Sequence, residues 1–179
     1  MFADHSLMPK EALRLAALGM LAEQPMPYGQ LAGVLRDFVH HIMGPSPEAM
    51  GASLELLRYE DLVHQNEAMA DGQQPVLELT AKGREEFVSL MLATVRAPFN
   101  DLNKLVVALK LRFLPLLPSD NQRDQAMLLI EACRVELARM IDLRARQADR
   151  QGPFLAWLDH DITQAQARLS WFEALSARL

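Results

Sequence analysis

Apolar residues recur at helical spacing along most of the chain, and proline and glycine mark where each run stops. Behind Pro9, Leu13, Ala17, Met20 and Leu21 share a face of a helix that Pro25 and Pro27 end after Glu23. A second helix, about Tyr28 to Ile42, carries Leu31, Leu35 and Phe38 on one side and stops at Gly44-Pro45. Ser46 then offers a cap, Pro47 fits a first turn, and Glu48 suits the positive end of a helix dipole. Met50, Leu54 and Leu57 follow at i, i+4 and i+7, one buried stripe on a third helix.

Beyond this point the period shortens to that of extended chain. Leu62-Val63-His64-Gln65 and Val76-Leu77-Glu78-Leu79 read as two strands, with Asp71-Gly72 as a turn signal between them and Pro75 suited to an edge. Thr80 caps a helix through Phe87, Leu90 and Met91 toward Thr94. Three helices followed by a hairpin is the layout of a winged helix. The remainder is helical: one helix from about Asn100 to Arg112, a proline-broken run from Phe113 to Pro118, and a capping box at Ser119-Asp120-Asn121-Gln122. The helix that this box opens continues to about Gln151, roughly 30 residues and about 45 Å. A last helix starts after Gly152-Pro153. The fold class predicted is mainly α: an N-terminal winged helix-turn-helix with a small β-hairpin wing over residues 1–97, and long antiparallel helices over residues 98–179.

Both long helices carry stripes at coiled-coil spacing. Ile130, Cys133, Leu137 and Met140 step by three, four and three, and Leu155, Leu158, Ile162, Ala165, Leu169 and Phe172 do so with fewer interruptions. Helices that outrun their own domain bury the surplus against a second copy or fold into an intramolecular bundle; the pattern favours the copy, and Ile130, Leu137, Leu155, Leu158, Ile162, Leu169 and Phe172 are the expected dimerisation residues.

Charge complicates the picture. The net charge is −5, and it is uneven: residues 1–92 hold six Lys/Arg against thirteen Asp/Glu, residues 93–179 twelve against ten. A protein that neutralises phosphates normally carries its positive charge where the nucleic acid lies. No secretory signal and no apolar run near the roughly 20 residues of a membrane span is present, and the single cysteine fits a reducing compartment. The expected location is the cytoplasm, without membrane contact.

Chemistry is sparse. His40-His41 diverge by about 100° on a helix, and no Cys, Asp or Glu follows either at i+3 or i+4. Consecutive positions in Asp159-His160-Asp161 cannot converge on one ion. Cys133 lies in an apolar stripe and reads as core. With no Ser/His/Asp or Cys/His set, no phosphate loop and no zinc spacing, neither an enzyme, a metal nor a cofactor is expected.

Several spaced motifs resemble the PadR family of transcriptional regulators. Glu23-Gln24-Pro25-Met26 with Tyr28-Gly29-Gln30-Leu31 looks like the family's junction between first and second helices. Ser46-Pro47 with Met50, Leu54 and Leu57, then Glu60-Asp61-Leu62-Val63, looks like its recognition helix and following strand. Leu79-Thr80-Ala81-Lys82-Gly83-Arg84 looks like its wing exit. The C-terminal helices are similar to the branch with long helical tails. The resemblance implies a homodimer whose tails clasp each other and present two winged helices to half-sites of a pseudo-palindromic double-stranded operator. It also implies, for some members, control by a small hydrophobic or phenolic compound.

On that resemblance base readout falls to Ser46, Ala49 and Ser53, with Gln73 and Gln74 in the wing, and phosphate contact to Lys10, Arg14, Arg36, Arg58, Lys82 and Arg84. Trp157 and Trp171 could form stacking walls for a flat aromatic effector. Gly51-Ala52 stands where the family usually has tyrosine and proline, Glu55-Leu56 where a basic pair often falls, and Glu67 to Pro75 holds no positive charge. These departures keep a rival open, in which an acidic winged helix with lost DNA binding meets a basic protein surface.

Overall fold

The first helix is apolar on almost every side, and it lies at the centre of its unit for that reason. A computed structural model describes residues 9–43, 50–66, 74–95, 101–147 and 151–179. Helix α1 (Pro9–Glu23) encloses Ala12, Leu15, Ala16, Leu18 and Met20 completely. Around it pack α2 (Tyr28–Met43), α3 (Met50–Tyr59) and α4 (Ala81–Leu92). Each offers one stripe to it, Leu31, Leu35 and Val39 from α2, Leu54 and Leu57 from α3, and Phe87, Leu90 and Met91 from α4.

A three-stranded antiparallel sheet completes the winged helix. Strands β1 (Met26–Pro27), β2 (Val63–Asn66) and β3 (Val76–Leu79) lie in the order β1-β3-β2, with Val63 opposite Leu79, Asn66 opposite Val76 and Met26 opposite Leu77. Leu77 and Leu79 point inward and Val76 and Glu78 are half-buried, the period of two that a one-sided sheet needs. Strand β1 gave no sequence signal, since two residues have no periodicity, and its Pro27 sits at an edge where no ladder donor is required. The wing tip, residues 67–73, lies outside the described residues.

The chain divides into two compact units, residues 1–94 with 104–117, and residues 95–103 with 118–179. Helix α5 (Asp101–Phe113) thus gives most of its length to the winged unit, whereas the sequence boundary at 97/98 assigned it to the tail. The cause is side-chain packing. Phe113 is fully buried, edge-on to Phe87 at 6.0 Å, and lies so close to α1 that a Cβ added to Gly19 would stand 2.3 Å from its ring. The Arg112 guanidinium stacks over Phe38 at 5.2 Å and pairs with Glu23 at 2.7 Å. Lys110, buried to 1% exposure, donates from Nζ to the Met91 carbonyl in the last turn of α4. A single 3-10 turn, Leu114–Leu116, follows.

The second unit is a helical hairpin of α6 (Ser119–Ala145) and α7 (Pro153–Ser176). Arg134 pairs with Glu173, Arg168 with Glu136 and Arg144 with Asp159, so the two helices run antiparallel. Ser119 is not a cap: it is the first helical residue, and Pro118 precedes it with no side-chain cap bond. Helix α6 ends at Ala145, short of the expected Gln151, so its 27 residues span about 40 Å. Much of the stripe expected at a dimer contact is covered within the chain itself. Ile130, Leu155, Leu158 and Phe172 are buried in the hairpin, and Leu137, Ile162 and Leu169 are partly so. Among the described residues no helix is long and apolar enough to cross a membrane.

Candidate nucleic-acid interface

The end of α3 is fixed by backbone geometry. Asp61 takes the left-handed conformation at φ 59°, Leu62 N–H donates to the Leu57 carbonyl and Asp61 N–H to the Arg58 carbonyl. This six-to-one and five-to-two pair is a Schellman stop, with an aspartate in the place glycine usually holds. Chain direction is then locked from the far side of the wing. The Thr80 hydroxyl donates to the Asp61 carbonyl at 2.8 Å and accepts the Gly83 N–H at 2.9 Å, so one side chain both ties down the turn after α3 and caps α4. Gly83 passes directly over that turn: a Cβ there would stand 1.9 Å from the Leu62 carbonyl oxygen. The spacing in Leu79-Thr80-Ala81-Lys82-Gly83 therefore has a geometric cause, and its result is a third helix held rigidly against the hairpin.

Charge finishes the anchoring. Arg14 on α1 reaches Glu60 at 2.7 Å and Glu86 on α4 at 3.1 Å, all three partly buried. Burial opposes the Arg14 charge, but hydrogen bonds to the two carboxylates outweigh it and its pKa is raised. Lys82 donates to the Glu60 carbonyl at 2.7 Å, where a cation suits the end of α3. Two of the cations considered for phosphate contact thus serve the internal architecture. Arg58 lies 3.9 Å from Glu55 on the same helix. Arg36 and Arg84 are exposed, with no ion pair to a described residue.

Among the described side chains of α3, Glu55, Leu56, Arg58 and Tyr59 face outward, and Tyr59 is 89% exposed. Leu56 stands where the resemblance puts a basic side chain, whereas Tyr59, two positions past the buried Leu57, carries no signal in the sequence that marks it for the free face. Ser46, Ala49 and Gln73 lie outside the described residues. Ser53 belongs to α3, while its side chain and that of Lys10 are also outside the description, and Gln74 is exposed just before β3.

In the tail, Trp157 and Trp171 are 56% and 50% exposed. They stand fourteen residues apart on α7, about 21 Å, too far for one small ring to touch both within a chain. Trp157 lies beside Phe154 at 6.0 Å and Trp171 edge-on to Phe172 at 5.1 Å. A shallow surface pocket on α6 is lined by Arg139, Met140, Asp142, Leu143 and Arg146 and includes neither indole. Cys133 is buried, and that burial pushes its thiol up to about 11, the behaviour of a core residue. His41 faces Asp37, four residues before it, in an exposed pair; no three His, Cys, Asp or Glu among the described residues could hold a metal.

Residues 2–176 match the family model described as "Putative AphA-like transcriptional regulator". No curated protein sequence matches the chain. Among solved structures it is similar to smu.1604c from Streptococcus mutans UA159, at 15% identity over 92% of this chain and 98% of that one, with a TM-score of 0.40. It is also similar to Bacillus subtilis PadR in complex with operator DNA, at 14% identity over 93% and 97%, TM-score 0.40. A third similar structure is the same PadR with p-coumaric acid, at 15% identity over 97% and 98%, TM-score 0.38. With a winged helix whose third helix is stopped, braced and bare on its outer face, and a family model spanning nearly its whole length, the chain belongs to the AphA-like transcriptional regulators.

Proposed function

We propose that the chain binds double-stranded operator DNA as a homodimer, each copy laying α3 in the major groove of one half of a pseudo-palindromic site. The observation that carries this reading is the outer face of α3. Leu56 and Tyr59 are exposed there on a helix whose end is fixed by Asp61, Thr80 and Gly83, and a rigid helix with an open face is what base-edge contact requires. Arg58, Arg36 and Arg84 supply phosphate contact. Arg14 and Lys82 are engaged inside the fold, so few cations remain and binding has a shallow salt dependence. Trp157 and Trp171, each half exposed on one chain, are the candidate stacking walls for a small aromatic effector, and quenching of their fluorescence by a planar aromatic compound tests that role.

A second reading is favoured by Glu55, which sits on the same outer face beside Arg58 and returns an acidic charge to it. On that reading the winged helix meets a basic protein surface. A gel shift with DNA from upstream of the chain's own coding sequence, at low and moderate salt, separates the two. Sequence-selective retardation supports DNA binding; no shift at micromolar protein in low salt supports the protein partner.

A further inference from the structure

Position 56 is set by the backbone around it. Glu60 N–H donates to the Leu56 carbonyl at 2.8 Å and Leu62 N–H to the Leu57 carbonyl at 2.9 Å, so α3 stays helical through Leu56 up to the stop at Asp61. Leu54 and Leu57 are buried in the winged unit. Leu56 and Tyr59, three positions apart and so neighbours on a helix, lie on the side turned away from them and are 51% and 89% exposed. The outer face of α3 therefore carries an aliphatic side chain where the resemblance puts a basic one.

We propose that Leu56 reads the C5-methyl group of a thymine in each half-site. The inference rests on the operator-binding reading and names a base that α3 selects. The edges of the bases in the major groove are hydrogen-bond donors and acceptors, and the apolar group displayed among them is the thymine methyl. A leucine gains nothing from a phosphate or sugar oxygen, so inside the groove this methyl is the partner that stabilises it. Cytosine carries only hydrogen at the same carbon and cannot replace it.

An aliphatic residue here also changes what the helix distinguishes. A cation at position 56 would tighten binding to every sequence through phosphate. Leucine adds affinity only where a methyl is met. That suits a winged helix in which Arg14 and Lys82 are engaged inside the fold, because base contacts must then supply more of the specific binding. The Tyr59 ring, next on the same side, widens the apolar surface and helps to keep water from the methyl.

Uracil differs from thymine by that methyl alone, and it gives the test. Duplexes from upstream of the chain's own coding sequence are made with deoxyuridine for thymidine, first throughout and then one position at a time, and dissociation constants are read by fluorescence anisotropy. Loss of the contacted methyl should weaken binding by the full-length protein about fourfold for one half-site and about fifteenfold for both. Leu56→Ala shortens an exposed side chain, and should bind the thymine duplex about as weakly as the unaltered protein binds the uracil one, with no further loss on uracil. Leu56→Met should retain most of the dependence. An equal loss on uracil by the unaltered protein and by Leu56→Ala would give the methyl to another residue and overturn the proposal. Sequence-selective binding indifferent to uracil overturns it too, while leaving operator recognition standing. Absence of any sequence-selective binding by the unaltered protein overturns both.

Discussion

Lys110 is among the largest fully buried side chains, at 1% exposure, and its ammonium group donates to the Met91 carbonyl inside the winged unit. Burial lowers its pKa from 10.5 to about 7. Above pH 10.5 the lysine is neutral in both folded and unfolded chains and contributes nothing. Between about 7 and 10.5 the unfolded chain binds a proton that the folded one does not, so stability rises with pH across that window. It is lost as pH falls through the folded value. At about 1.4 kcal/mol per pH unit the gap amounts to about 4 kcal/mol at pH 7.

Methionine has nearly the same length and no charge. Lys110→Met should remove that cost and leave the Met91 carbonyl without this donor, a loss of about 1–2 kcal/mol. The net expectation is a variant more stable at pH 7 by about 2–3 kcal/mol. Urea unfolding at pH 7, 8 and 9, at one fixed protein concentration, measures it. The unaltered protein should gain stability toward pH 9 more steeply than the variant. A variant less stable at pH 7, or one whose stability follows the same pH slope, would refute the reasoning.

Gly83→Ala should destabilise by about 3 kcal/mol or more in thermal unfolding, since its methyl carbon would overlap the Leu62 carbonyl in backbone that has no room to shift. Arg14→Met leaves Glu60 and Glu86 facing each other without their shared cation, and should cost about 1–2 kcal/mol in urea unfolding, less at high salt. Glu55→Lys removes the acid beside Arg58 on the outer face of α3, and should tighten binding to all DNA alike by about 1 kcal/mol at low ionic strength, read by fluorescence anisotropy. No change at any salt concentration would mean that residue 55 does not face the duplex.

The winged unit was legible because its signals are local. Pro9, Pro25 and Gly44 bracket helices, Thr80 caps α4 as its position suggests, and the alternation of Val76 to Leu79 is that of a strand. The braces were not legible, since nothing in the sequence pairs Arg14 with residues 46 and 72 positions away, or announces that Lys82 turns back to Glu60. Those two residues looked like phosphate contacts because charge shows in a sequence and partnership does not. Helix α5 was placed with the tail for a similar reason: Pro98 precedes it, whereas the contact of Phe113 with Gly19 that fastens it to α1 spans most of the unit. In the tail, Leu155, Leu158 and Phe172, expected at a dimer contact, are buried against α6 of the same chain, because spacing does not say which helix covers a stripe.

Hydroxyl-radical footprinting on DNA from upstream of the chain's own coding sequence addresses operator recognition by a homodimer most directly. Two winged helices related by a two-fold axis should protect two half-sites of related, inverted sequence, their centres one helical turn of about 10 base pairs apart or a multiple of it. Protection should weaken only modestly between low and moderate salt, because few cations contact phosphate. A single asymmetric patch, or no protection at protein concentrations where the dimer is fully formed, would contradict the account.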